Sequence, residues 1–137
     1  MSCLGDLKSI VETDYYFIPR KNNNDAELRL YLREVGYHCP LCGKELQSRK
    51  QRKLTEKQFQ IAHIYPNSPT KAQHETLLGV ERLGDNCESY ENKIALCRDC
   101  HGTQDYHTSI DDYKNLLNIK NNVYYKQLCM MQLLHWD

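Results

Sequence analysis

Two Cys-x-x-Cys pairs, Cys39–Cys42 and Cys97–Cys100, set the tightest limit on how this chain can fold. Each pair spans one turn and supplies two corners of a tetrahedron, so residues 43–96 must loop out and return between them. Four thiolates suit zinc, which takes sulfur at about 2.3 Å, and a shell of four sulfurs leaves no position for water or substrate. The expected zinc is structural, and its binding energy is folding energy. Gly43 follows the second sulfur and lets backbone amides point at the thiolates, while Lys44 and Arg98 can offset the negative charge of such a centre. A redox role is disfavoured because neither pair lies in a βαβ pattern. Cys3, Cys87 and Cys129 have no partner spacing and read as plain thiols.

A staple is also what the composition calls for. At 137 residues the chain fits one domain, or a small domain with helical extensions. Its apolar residues are scattered and mean hydropathy is −0.75, so the core is thin and a metal is a natural support. The 18 basic and 18 acidic residues cancel, which argues against coating nucleic acid by bulk charge. A local basic stretch, residues 44–57, carries Lys44, Arg49, Lys50, Arg52, Lys53 and Lys57 against Glu45 and Glu56. It reads equally as a solvated loop or a phosphate contact. No apolar run suffices for a membrane span, and the first residues lack the charged-then-apolar pattern of a secretion signal. Seven cysteines, four of them in tight pairs, point to metal binding in a reducing, cytoplasmic setting rather than to disulfides.

Local patterns predict an α+β chain. Asp6–Thr13 can form a short helix, and Tyr15–Ile18 reads as an extended segment laid on the domain. A helix is expected over residues 25–35, capped by Asn24 or Asp25 and ended by Gly36. Residues 59–65 alternate as a strand that stops at Pro66, and a helix is expected over about 70–82. Residues 83–91 read as irregular loop, followed by the short apolar piece Lys93–Leu96 and a helix from the second knuckle. Thr108-Ser-Ile-Asp111 matches a capping box for a further helix, with an interruption near Asn121-Asn122. The apolar end suits a docking helix or a fragment of something longer.

Between and after the knuckles lie Ala62-His63-Ile64-Tyr65-Pro66, then Asn92-Lys93-Ile94-Ala95-Leu96-Cys97, then Cys100-His101. If one zinc joins the knuckles, a strand-end histidine, a loop asparagine and a helix-start histidine form a compact triangle. Asp105 is four residues beyond His101, on the same helix face, and that pair has the spacing to hold a cation. On its own, His63 would read as a satisfied core histidine, His101 as a cap on the knuckle and Asp105 as a solvated residue. His38, beside the first cysteine, reads as an exposed loop residue or a second-layer partner of the zinc.

These motifs, over roughly residues 37–107, resemble the HNH endonuclease family, whose fold is a β-hairpin plus helix around one metal. The resemblance implies a small ββα-metal core stapled by the four-cysteine zinc site, with flanking helices at both ends. It divides the chain into an N-terminal extended segment and helix (1–36), a nuclease core (37–107) and a C-terminal helical extension (108–137). It implies that His63 is the general base, that Asn92 holds the loop and orients that histidine, and that His101 binds a catalytic divalent metal, Mg²⁺ or another. Asp105 matches the position of a further ligand in the similar colicin DNases. Many family members carry a ligand just before the base; here that residue is Ala62, and Asp105, Gln60 or Asn92 would have to fill the shell. The products implied are 5′-phosphate and 3′-hydroxyl ends.

The run Tyr16-Phe17-Ile18-Pro19, a helix and Cys-Pro-Leu-Cys-Gly resembles more narrowly the HNH effector domains of bacterial antiphage systems of the ABC-three-component-like kind. That implies a DNA-cutting defence effector working with an ATPase partner, away from membranes. The alternative is a catalytically degenerate zinc module that grips nucleic acid or a protein without cutting.

Overall fold

The computed structural model describes residues 12–47, 58–106 and 108–134, with side chains left out for 105, 106 and 130–134. Most of the helix expected over Asp6–Thr13, and most of the basic stretch 44–57, lie outside these residues. Among the described residues the chain is mixed α/β, with four helices and one two-stranded antiparallel sheet. None of these helices is long and apolar enough to cross a membrane.

Helix α1 (Asp25–Glu34) starts at Asn24, whose side chain accepts from the Glu27 amide while Glu27 reaches back to the Asn24 amide. Two of the helix's free N–H groups are thereby satisfied. The helix gives way to Gly36 and Tyr37, both left-handed at φ 66° and 63°. Leu28, Tyr31 and Leu32 form its buried face. Strand β1 (Phe59–His63) pairs with β2 (Lys93–Cys97), Phe59 opposite Cys97 and His63 opposite Lys93. Every residue of β2 is buried, because α1 and α3 (Arg98–Tyr106) both pack on it. β1 stops two residues short of the expected strand: Ile64 and Tyr65 leave the ladder to bond Asn92 instead.

Helix α2 (Lys71–Thr76) is capped by Thr70 and far shorter than the expected 70–82. Leu77 turns into the core at 2% exposure and Gly79 is left-handed at φ 77°, which ends the helix. The loop before β2 closes in a single 3₁₀ turn, Tyr90–Asn92.

Helix α4 (Ile110–Leu134) runs through Asn121-Asn122 without the expected interruption. Its cap also moves one residue, to Ser109, whose hydroxyl accepts the Asp112 amide. Tertiary contact explains the continuity, since α4 packs on α1 and on the 3₁₀ turn. Its Lys120 is buried at 1% exposure, 2.6 Å from the Glu34 carboxylate and 3.9 Å from the Tyr90 ring centre. Residues 14–18 lie against the body through Tyr16, whose hydroxyl bonds Leu83 and whose carbonyl accepts the Cys87 amide. Arg82 stacks 4.3 Å over the Tyr16 ring and pairs with Asp14 at 2.7 Å.

Candidate metal centre and histidine cleft

The first knuckle is a closed turn. The Cys39 amide bonds the Lys44 carbonyl at 2.8 Å, and the Gly43 amide returns to the Cys39 carbonyl at 2.8 Å. Gly43 adopts φ 81°, which favours glycine there. The second knuckle is the junction of β2 and α3: Cys97 ends the strand, and Cys100 lies in the first helical turn with its amide 3.4 Å from the Cys97 sulfur. The sheet register brings the knuckles together. All four Sγ atoms lie within 4.8 Å of one another, with Cys42 and Cys97 at 3.6 Å. Sulfurs around a zinc ion bonded at about 2.3 Å sit roughly 3.8 Å apart, so this spacing can hold a metal ion.

The charge balance points the same way. Burial acts to raise the Cys39 thiol, but amides of Cys97, Leu41 and Cys42 outweigh it and bring it down to about 7. Burial and the crowding of neighbouring sulfurs push Cys97 and Cys100 up. Four thiols packed this closely cannot all ionise unless a cation shares the site.

His63 closes β1 at the mouth of a cleft of about 470 Å³, and His101 lines the same cleft from the first turns of α3. Gln60, Gln104 and Arg20 are also on its wall. Gln104 donates to the His63 carbonyl at 3.4 Å, and its buried Oε1 has no hydrogen-bond partner among the described residues. Asp105 stands in α3 four residues beyond His101, but its side chain lies outside the described residues, as does His107. His38 is exposed and bonds the Gly36 carbonyl at 2.8 Å through Nδ1.

Asn92 is fully buried behind His63. Its Oδ1 accepts the Tyr65 amide at 2.8 Å, and its Nδ2 donates to the carbonyls of Tyr65 (2.9 Å) and Cys87 (2.8 Å). Its own carbonyl takes the Ile64 amide at 2.7 Å. The side chain therefore clamps the two residues after His63 to the loop before β2. With its oxygen taken by the Tyr65 amide, no exposure and no place on the cleft wall, Asn92 is not available to a metal there, which corrects one of the three substitutes for Ala62. Ala62 is itself fully buried, opposite Ile94, so a larger donor there would enter the core.

Glu88 is the residue that sequence reasoning missed. Its side chain is wholly buried, and its Oε2 meets His63 Nε2. Asn67 donates to the same oxygen at 2.9 Å; the Lys21 amide bonds Oε1 at 2.9 Å, with Lys93 Nζ 3.7 Å away. Burial acts to raise this carboxyl, but the Lys21 amide, His63 and Lys93 hold it below its ordinary value. Burial lowers His63 more than Glu88 raises it, and Arg20 and Lys93 lower it further. The net shift favours the neutral ring. The one signal in the sequence was that the loop over residues 83–91, with three carboxylates (Asp85, Glu88 and Glu91), must fold back on the strand end. Comparison with known proteins returns no matching family model and no matching curated relative.

Proposed function

We propose that the chain is a metal-dependent endonuclease of the HNH type, hydrolysing phosphodiester bonds in DNA as an antiphage effector. The observation that carries this reading is the placement of His63 and His101 on one cleft, with Asn92 clamped behind the strand end. That grouping supports the roles of base, loop asparagine and metal-binding histidine that the motif order implies. In this reading the four thiols hold a structural zinc that joins the knuckles and keeps the triangle in register.

A neutral imidazole is suited to take a proton from water at pH 7. His63 removes that proton, the oxygen attacks phosphorus, and the bond to the 3′ oxygen breaks; that oxygen takes a proton from solvent water, leaving 5′-phosphate and 3′-hydroxyl ends. A divalent cation held by His101 and Asp105 would supply the positive charge that the phosphorane and the leaving oxygen need. Arg20, exposed on the cleft wall, is placed to meet a phosphate.

The test is plasmid cleavage by zinc-loaded protein with Mg²⁺, Mn²⁺ or Ni²⁺. His63→Ala is expected to abolish nicking while zinc content and thermal unfolding stay near wild type. The fold survives because Glu88 keeps Lys21, Asn67 and Lys93 as partners. Cleavage by His63→Ala at the wild-type rate overturns the mechanism. The second reading, a binder that does not cut, is favoured by the buried methyl of Ala62 where many HNH enzymes carry a ligand. It predicts a shifted plasmid that stays supercoiled.

A further inference from the structure

We propose that Glu88 is the positioning residue for His63: its buried carboxylate keeps the ring proton on Nε2 and leaves Nδ1 as the acceptor. The proton-acceptor role rests on the nuclease reading, but the tautomer does not. The argument is a count of donors. An ionised carboxylate only accepts. Glu88 Oε1 accepts the Lys21 amide and faces the Lys93 ammonium, and Oε2 accepts the Asn67 amide. With two N–H donors and a buried cation around it, the carboxylate stays charged, so the atom that meets it at Nε2 must carry a proton. A carboxylate serving only as an anchor for the 21, 67 and 93 segments would have no need of the ring. Its contact with Nε2 is what adds control over the histidine.

Glu88→Gln turns this into a switch. The amide has one oxygen for two sets of donors, and the Lys93 side, with cation and backbone N–H together, claims it. The NH₂ group then faces Asn67 Nδ2, itself a donor that keeps the Ile18 carbonyl and the Cys87 sulfur, so the ring accepts it at Nε2 and moves its own proton to Nδ1.

The experiment is ¹⁵N–¹H correlation of the His63 ring in the zinc-loaded full chain at pH 8, beside plasmid cleavage. Wild type is expected to show the Nε2–H tautomer, and Glu88→Gln the Nδ1–H tautomer at unchanged zinc content. Its kcat is expected to fall about 10- to 100-fold with KM unchanged. An Nδ1–H or evenly mixed ring in wild type overturns the proposal even if Glu88→Gln does not fold. A folded Glu88→Gln that keeps the wild-type ring spectrum overturns it equally. If wild type cuts no DNA yet the tautomer switches, the nuclease reading fails and Glu88 keeps its hold on the ring.

Discussion

Asn92 gives both amide protons and its oxygen to the backbone of two loops, at a position closed to water. Asn92→Ala would leave the Tyr65 amide and the Tyr65 and Cys87 carbonyls buried without these partners, at about 1–3 kcal/mol for each group. The expected loss is about 3–5 kcal/mol after partial relaxation, read by urea unfolding of the zinc-loaded protein. Asn92→Asp is expected to be no milder, because a carboxylate can accept from Tyr65 but cannot donate to either carbonyl. A loss below about 1 kcal/mol would show that the clamp is not holding the loop. The asparagine was legible in the sequence because its distance to Cys97 and His101 is short and fixed. Glu88 was not: its partners are Lys21, His63 and Asn67 at the exit of β1, and Lys93, three segments that only the fold brings together.

At the scale of elements, propensity gave way wherever a tertiary contact opposed it. Paired asparagines are poor helix formers by only a few tenths of a kcal/mol each, too little to break α4 where packing on the 3₁₀ turn continues past them through Tyr124 and Gln127. The anchor is the Glu34–Lys120 pair, enclosed by Tyr31, Tyr90 and Tyr124, with rings centred 5.5, 3.9 and 5.9 Å from the ammonium. Nothing in the local pattern marks a lysine as a core residue, so this contact was invisible before the fold. Burial depresses the lysine, against the opposing pull of Glu34, to about 8. Burial raises Glu34 despite Lys120, and one of its oxygens has no hydrogen-bond partner among the described residues. Each charge therefore depends on the other. Lys120→Met is expected to cost about 3–5 kcal/mol by stranding the carboxylate, and Glu34→Met with Lys120→Met together to recover most of it. Equal losses in the single and double variants, measured by denaturant unfolding, would show that packing rather than charge joins α1 to α4. The α1 cap and the first knuckle turn, by contrast, were readable residue by residue, because Asn24 and Gly43 act on backbone within three or four positions.

For the molecule as a whole, the four-thiol centre and the small sheet depend on each other. A two-stranded sheet with five residues per strand is marginal alone in water. Here β2 also carries Cys97 and leads directly into Cys100, so the strand that completes the sheet is the one that completes the thiol shell. The same strand carries Lys93, which faces Glu88, and follows Asn92, which clamps the exit of β1. If the four thiols hold zinc as proposed, its loss would release the sheet, the clamp and the cleft in one step. Structural zinc contributes about 10–16 kcal/mol in zinc-finger peptides, comparable to the whole stability of a small domain at about 5–15 kcal/mol. Stripping zinc with a mercurial thiol reagent is expected to release one ion per chain and abolish the cooperative thermal transition. Cys97→Ser should act likewise without any reagent, since a hydroxyl does not replace a thiolate in the shell. Circular dichroism and zinc release followed in the same titration should coincide. If zinc leaves while the cooperative transition persists, the fold is held by its apolar core, and the metal serves only to adjust the knuckles.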